Sequence, residues 1–246
     1  MSIKNKSAKT GAWLFRWRSY LPLSFIAVIL PSLHWFTYPA GLHKYDLICD
    51  MFCLAISLFG LVIRSYTIGY APKRTSGRNT KNQVADSLNT TGMYSVTRNP
   101  LYLGNFFMML GVILSVRQMW LPLIFALAFW IFYERIIMAE EKFLEEKFGK
   151  EYGDYSRRTP AFIPNFRLWQ RPRISFSFRN VLKREYSSFF GMIVSFTILE
   201  LVEDFIVQRK FVVDPVWAAI FSFGLAVYIT LRTLRKKTRL LHVEGR

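Results

Sequence analysis

From Ser19 to His43 the chain carries no Lys, Arg, Asp or Glu. A helix needs about 20 apolar residues to cross the hydrocarbon core of a bilayer, and this run of 25 exceeds that length. Further apolar runs follow at about 45–70, 99–116, 118–133, 188–207 and 211–231. Continuous runs of this kind exclude a soluble domain, whose helices keep a polar face. They predict an all-α polytopic transmembrane bundle of about six spans. Only Arg117 separates the third run from the fourth, so these two form a helical hairpin with its turn at Ser115-Val-Arg-Gln118. The fourth run passes through Glu134, Arg135, Glu140 and Glu141 without a breaker, which predicts a cytoplasmic C-terminal extension of that span.

Charge sets the orientation. Lys and Arg number 33 against 16 Asp and Glu, a net charge of +17. A nucleic-acid binder would gather such an excess on one face of a soluble domain. Here the excess lies between the apolar runs: five basic residues in 1–18, five in 71–98, eleven in 142–186 and six in 232–246. The opposite loops hold only Lys44, Arg117, Arg209 and Lys210. The positive-inside rule then places both termini in the cytoplasm, at a bacterial inner membrane or an endoplasmic reticulum, with no nucleic-acid partner. The first run lacks a small-residue cleavage site and reads as an uncleaved span, kinked at Pro31. Pro160, Pro164 and Pro172 break the helix after 142 into an extended wrap. Arg171, Arg173, Arg179, Lys183 and Arg184 would lie on it against anionic lipid headgroups. The segment Gln83 to Leu88 reads as a short interfacial helix.

Polar residues inside apolar runs are functional candidates by default. Arg64 is one, although it also lies close enough to the end of its span to snorkel to the interface. Asp50 is another. Glu200, Glu203 and Asp204 share one face of the fifth run at i, i+3, i+4, where they would form an ion or headgroup site or sit at the outer interface near Arg209 and Lys210. Cys49 and Cys53, four apart on an apolar helix, read as packing residues, and no zinc or disulfide spacing accompanies them. His34 reads as structural and His43 as interfacial.

Two blocks carry the densest chemistry. Gly92-Met-Tyr94-Ser-Val-Thr-Arg98-Asn99-Pro100-Leu-Tyr102-Leu-Gly104 sits where a basic segment meets an apolar one. Glu140-Glu141-Lys-Phe-Leu-Glu-Glu-Lys-Phe-Gly149-Lys-Glu-Tyr152-Gly-Asp-Tyr155 follows about forty residues later. Both fall on the basic side of the charge map. Together they offer guanidinium and amide donors, paired carboxylates and four phenol rings. The blocks resemble the integral membrane methyltransferases that include isoprenylcysteine carboxyl methyltransferase and phospholipid N-methyltransferases, whose pattern runs G-x-Y-x-x-x-R-H-P-x-Y-x-G, then a hydrophobic hairpin, then E-E-x-x-L-x-x-x-F-G-x-x-Y-x-x-Y. The resemblance covers about 83–165 and departs at Asn99, where the family usually has His.

The resemblance implies an enzyme that uses S-adenosylmethionine and methylates a lipid or lipidated acceptor entering from the bilayer. It implies a single membrane domain over 1–246, with a methyltransferase core at 45–170 and two additional spans at 187–246. Cofactor binding would fall to Gly92, Tyr94, Arg98, Asn99, Pro100, Tyr102, Gly104, Glu140, Glu141, Tyr152 and Tyr155, and catalysis to Arg98, with no metal; Arg64, outside the resemblance, joins Arg98 as a catalytic candidate because it is a charge inside a span. No Gly-rich loop follows a strand, so a soluble dinucleotide-type methyltransferase is not expected. Neither block contains a His, and Asn99 takes no proton, so an acceptor that needs no base fits best: a carboxylate or phosphate oxygen. The alternatives are phospholipid N-methylation, an NADPH-dependent sterol-reductase-like enzyme, and a non-enzymatic scaffold or transporter.

Overall fold

The computed structural model describes Trp13, residues 25–72, Thr75 and residues 85–243. The basic N-terminal segment 1–12, and Lys73, Arg74, Arg78, Lys81 and Gln83, lie outside the described residues. Among those described there are eight α-helices and no strand: α1 (Ile26–Ser32), α2 (His43–Gly69), α3 (Met93–Val96), α4 (Pro100–Ser115), α5 (Leu121–Phe148), α6 (Lys150–Arg158), α7 (Phe178–Gln208) and α8 (Pro215–Lys237). Three stretches are long and apolar enough to cross a membrane: Tyr45–Gly69, Leu121–Phe148 and Pro215–Lys237. Two shorter apolar helices, Ile26–Trp35 and Pro100–Ser115, accompany them.

The hairpin is present as expected. α4 stops at Ser115, Arg117 turns the chain at φ 58°, and α5 starts at Leu121 with Pro122 in its first turn. α5 then runs unbroken through Glu140 and Glu141 to Gly149, whose φ of 50° ends it. The apolar run 19–43 differs from expectation. Its described part is not one helix: α1 tightens into a 3₁₀ turn at Leu33–Trp35, and Phe36 and Tyr38 are extended, as suits the residues leading into Pro39. The expected helix at 83–88 also differs, since 85–88 is irregular and the helical turn lies at α3 instead. The last helix begins at Pro215 rather than near Phe211. Asp214 caps it, accepting from Val216 N at 2.7 Å and Trp217 N at 3.1 Å, with Pro215 at the first position.

α2 and α4 form the tightest pair, through small residues. A Cβ at Gly60 would overlap Gly104 O and lie 2.5 Å from Met108 N, and one at Gly111 would strike Ser57 and Cys53. Ser57 Oγ donates to Met108 O at 2.7 Å across the same seam. Close backbone approach of this kind holds helices together where lipid removes the hydrophobic drive between them. α7 packs on α2 and α8, and α5 closes on α4. Phe25, Phe106, Phe125, Phe129 and Tyr133 fill the space between α1, α4 and α5, with Phe129 and Tyr133 stacked at 4.0 Å. Ile48, Phe52, Phe59, Leu123, Leu127, Trp130, Phe223 and Ile229 point outward and are exposed, an apolar rim suited to lipid rather than water.

Candidate active site

The two motif blocks meet at one end of the bundle. The extended segment that the prolines predict after α6 does not simply lie across a surface: it is bonded to the first block. Arg98 N donates to Pro160 O, Asn165 N to Val96 O, and Gly92 N to Gln170 O, all at 2.9 Å. Thr97 Oγ1 donates to Phe162 O, and Asn99 Nδ2 to Ala161 O at 2.9 Å. Further along, Ser177 N donates to Gly69 O and Asn180 Nδ2 to Ile68 O, which ties the start of α7 to the end of α2.

Arg98 is a brace. Its Nε and Nη2 each lie 2.8 Å from Glu141 Oε1, and its Nη1 donates to Ser156 O at 2.6 Å and Thr159 O at 3.0 Å. One guanidinium thus joins the start of α4 to α5 and to the end of α6. Tyr102 donates its hydroxyl to Glu140 Oε1 at 2.7 Å, and Tyr155 to Tyr94 O at 2.7 Å. Burial pushes the Tyr152 and Tyr155 hydroxyls well above the usual phenol range, with Glu141 adding to the rise at both. Both phenols are neutral at any physiological pH.

A cavity of about 900 Å³ opens from these residues. Tyr94, Arg98, Asn99, Pro100, Tyr102, Glu140, Glu141, Tyr152 and Tyr155 line its polar end. Phe25, Ile29, Met109, Val112, Ile113 and Leu199 line an apolar stretch that reaches into the bundle. Arg64 lies on the wall and does not snorkel. Its side chain is buried, and its Nε and Nη2 grip Glu185 at 2.8 and 2.7 Å while Nη1 donates to Asn105 Oδ1 at 2.6 Å. Three of its five guanidinium N–H groups make these bonds.

Two expected cofactor residues do not line the cavity. Gly92 (φ 63°) turns the chain under Pro172, and Gly104 stands in the α2–α4 seam. A Cβ on Gly104 would overlap the Arg64 stem and meet Gly60 O at 2.8 Å, so its smallness serves packing and makes room for Arg64. Sequence reasoning missed Glu185 and Asn105. Glu185 had a signal: it is the only acid between Asp154 and Glu200, inside a strongly basic stretch.

Residues 51–151 match the model of the phospholipid methyltransferase family. That segment, less than half of the chain, is similar to this family. The match takes in Arg64, the Gly92–Gly104 block and Glu140-Glu141, and it stops before Tyr152, Tyr155 and Glu185. Among curated proteins the chain is similar to the nickel-cobalt-cadmium resistance protein NccN of Alcaligenes xylosoxydans xylosoxydans, 30% identical over 154 residues, 63% of this chain and 65% of that protein. It is similar to the cobalt-zinc-cadmium resistance protein CzcN of Cupriavidus metallidurans, 38% identical over 85 residues, 35% of this chain and 39% of that protein. It is also similar to the protein-S-isoprenylcysteine O-methyltransferase of Saccharomyces cerevisiae, 29% identical over 154 residues, 60% of this chain and 64% of that protein. The chain therefore spans less than two thirds of the length of these relatives. No solved structure matches.

Proposed function

We propose that this protein is an S-adenosylmethionine-dependent membrane methyltransferase that methylates an anionic oxygen on a lipid or lipidated acceptor. The observation that carries this reading is the two-ended cavity. Its polar end gathers both motif blocks, and its apolar stretch continues between helices whose outer faces are exposed and hydrophobic. The residues present fit the donor. Glu140 and Glu141 suit an ammonium, Asn99 a polar edge, and Tyr94, Tyr102, Tyr152 and Tyr155 an adenine ring. When bound, S-adenosylmethionine supplies an electrophilic methyl group on a sulfonium.

The chain's own contribution is alignment and charge. Glu141 and Arg98 fix the polar end. Arg64, steered by Glu185 and Asn105 on the cavity wall, offers a positive charge to a carboxylate or phosphate and helps hold it in line, and positioning of this kind supplies much of a barrier reduction. The bases near the polar end are engaged: Glu140 by Tyr102, Glu141 by Arg98 and Glu185 by Arg64. An acceptor amine near pKa 10.4 would have to lose its proton unaided, at about 4–5 kcal/mol near pH 7. An oxygen already ionised does not. Six crossings, with both termini and the cavity mouth on the cytoplasmic side, complete this reading, as one membrane domain with a core at 45–170 and two added helices at 187–246.

Membranes containing the expressed protein, given methyl-labelled donor, should yield labelled lipid with the methyl on oxygen. The rate should stay flat between about pH 6.5 and 8.5. Label recovered on nitrogen, or a rate rising roughly tenfold per pH unit in that window, would refute the anionic acceptor.

A further inference from the structure

At the end of the bundle away from the motif blocks, α2 and α7 press a set of acids together. Asp46 and Asp50 stand one turn apart on α2, and Glu200 and Glu203 stand on the facing side of α7. One carboxylate oxygen from each of the four lies within 4.8 Å of the others. All four side chains are buried, with Glu203 only 1% exposed. Arg117, held at positive φ in the α4–α5 turn, pairs with Asp46 and donates to Asp50 Oδ1 at 2.6 Å. The guanidinium does not satisfy the set. Neither oxygen of Glu203 has a hydrogen-bond partner, and Asp46 Oδ2 has none. Asp204 is already engaged, accepting from Tyr38 at 2.5 Å.

Charge and geometry favour the same occupant. With all four carboxyls ionised, one guanidinium leaves three negative charges in this buried set, an excess that either bound protons or a bound cation must relieve. A divalent ion removes two of the three. His43 Nε2 lies 3.4 Å from Glu200 Oε1 at the edge of the set. Oxygens at about 2.0–2.6 Å from a common centre lie up to roughly 4–5 Å apart, which is the spread seen here. Carboxylate-only ligation suits hard cations of the magnesium, manganese and calcium type.

We propose that Asp46, Asp50, Glu200 and Glu203 form a divalent-cation site that clamps α2 to α7, away from the polar end of the methyl-transfer cavity and next to its apolar end at Leu199. Asp50 and Arg64 are fourteen positions apart on α2, so the acid set lies about 20 Å from Arg64. The ion would pin the C-terminal pair α7–α8 to the rest of the bundle, and it takes no part in the methyl-transfer reading.

The test uses the purified full-length protein in detergent, stripped with a chelator and titrated with Mn²⁺ while free Mn²⁺ is followed by electron paramagnetic resonance. One saturable Mn²⁺ per chain, displaced by Mg²⁺ or Ca²⁺, is the expected result. Asp50→Asn and Glu203→Gln should each weaken it by at least about tenfold, whereas Glu134→Gln, an exposed acid elsewhere, should not. Bound Mn²⁺ should also raise the thermal midpoint of the wild-type protein. Absence of Mn²⁺ uptake by the wild type overturns the proposal whatever the variants do. Unchanged affinity in both acidic variants overturns it equally.

Discussion

Glu185→Ala removes one partner of a buried pair and leaves the other in place. Arg64 and Glu185 expose only 11% and 4% of their side chains, and two hydrogen bonds of 2.8 and 2.7 Å join them. Breaking such a pair costs about 3–5 kcal/mol, because the surviving charge stays buried without compensation. Asn105 still accepts from Nη1 at 2.6 Å, which places the expected loss towards the lower end of that range. For a chain of this length this corresponds to a thermal midpoint lowered by roughly 6–12 °C. Cys53 supplies the assay in a Cys49→Ser background: it is a free, buried thiol in α2 that a thiol-reactive dye reaches on unfolding, whereas the partly buried Cys49 would react earlier. The double variant Arg64→Leu/Glu185→Leu tests the cause. Apolar replacement of both partners is often neutral, so its midpoint should recover to within about 1 kcal/mol of wild type while methyl transfer stays lost. A single variant as stable as wild type, or a double variant no better than the single, would refute the argument.

Glu141→Ala and Arg98→Ala should each weaken methyl-donor binding by the equivalent of about 2–5 kcal/mol, measured by calorimetry; wild-type affinity in both folded variants would remove the polar end from the donor site. Gly60→Leu should force α2 and α4 apart and destabilise the protein by at least about 1–3 kcal/mol, whereas Gly153→Ala, with nothing within 4 Å of its Cβ, should not; equal midpoints would deny the seam. Tyr152 and Tyr155 have folded-state pKa values raised above the unfolded phenol value, so their contribution to stability is complete below about pH 10 and is lost as pH rises beyond it. The Tyr152→Phe/Tyr155→Phe variant should lose part of that alkaline fall; an identical slope above pH 10 would contradict the assignment.

Much of this protein is legible in one dimension. Uncharged runs between basic segments give a helical membrane chain. Arg117 between two apolar runs marks a hairpin, and prolines after Arg158 predict an extended segment, although its contacts with the first block are not legible there. The ordered residues from Gly92 to Gly104 and from Glu140 to Tyr155 give the candidate site, and the cavity brings Tyr94, Arg98, Asn99, Glu140, Glu141, Tyr152 and Tyr155 together as expected. These features are local: helix period, breakers and charge balance act over a few turns.

What each side chain does there is decided by the packing of distant helix faces. Glu185 reaches Arg64 across 121 residues of sequence, and only the lie of α7 along α2 turns a lone acid in a basic stretch into a buried partner. Arg98 reads as an anion donor by type, yet the end of α6 and Glu141 take most of its N–H groups and make it a brace. Gly104 belongs to the motif block by spacing, but the approach of Gly60 and the Arg64 stem gives it its role. Glu200 and Glu203 lie on one helical face in sequence. The same α2–α7 contact that buries Glu185 at one end puts them beside Asp46, Asp50 and Arg117 at the other, because a rigid helix fixes both of its ends once one face is docked.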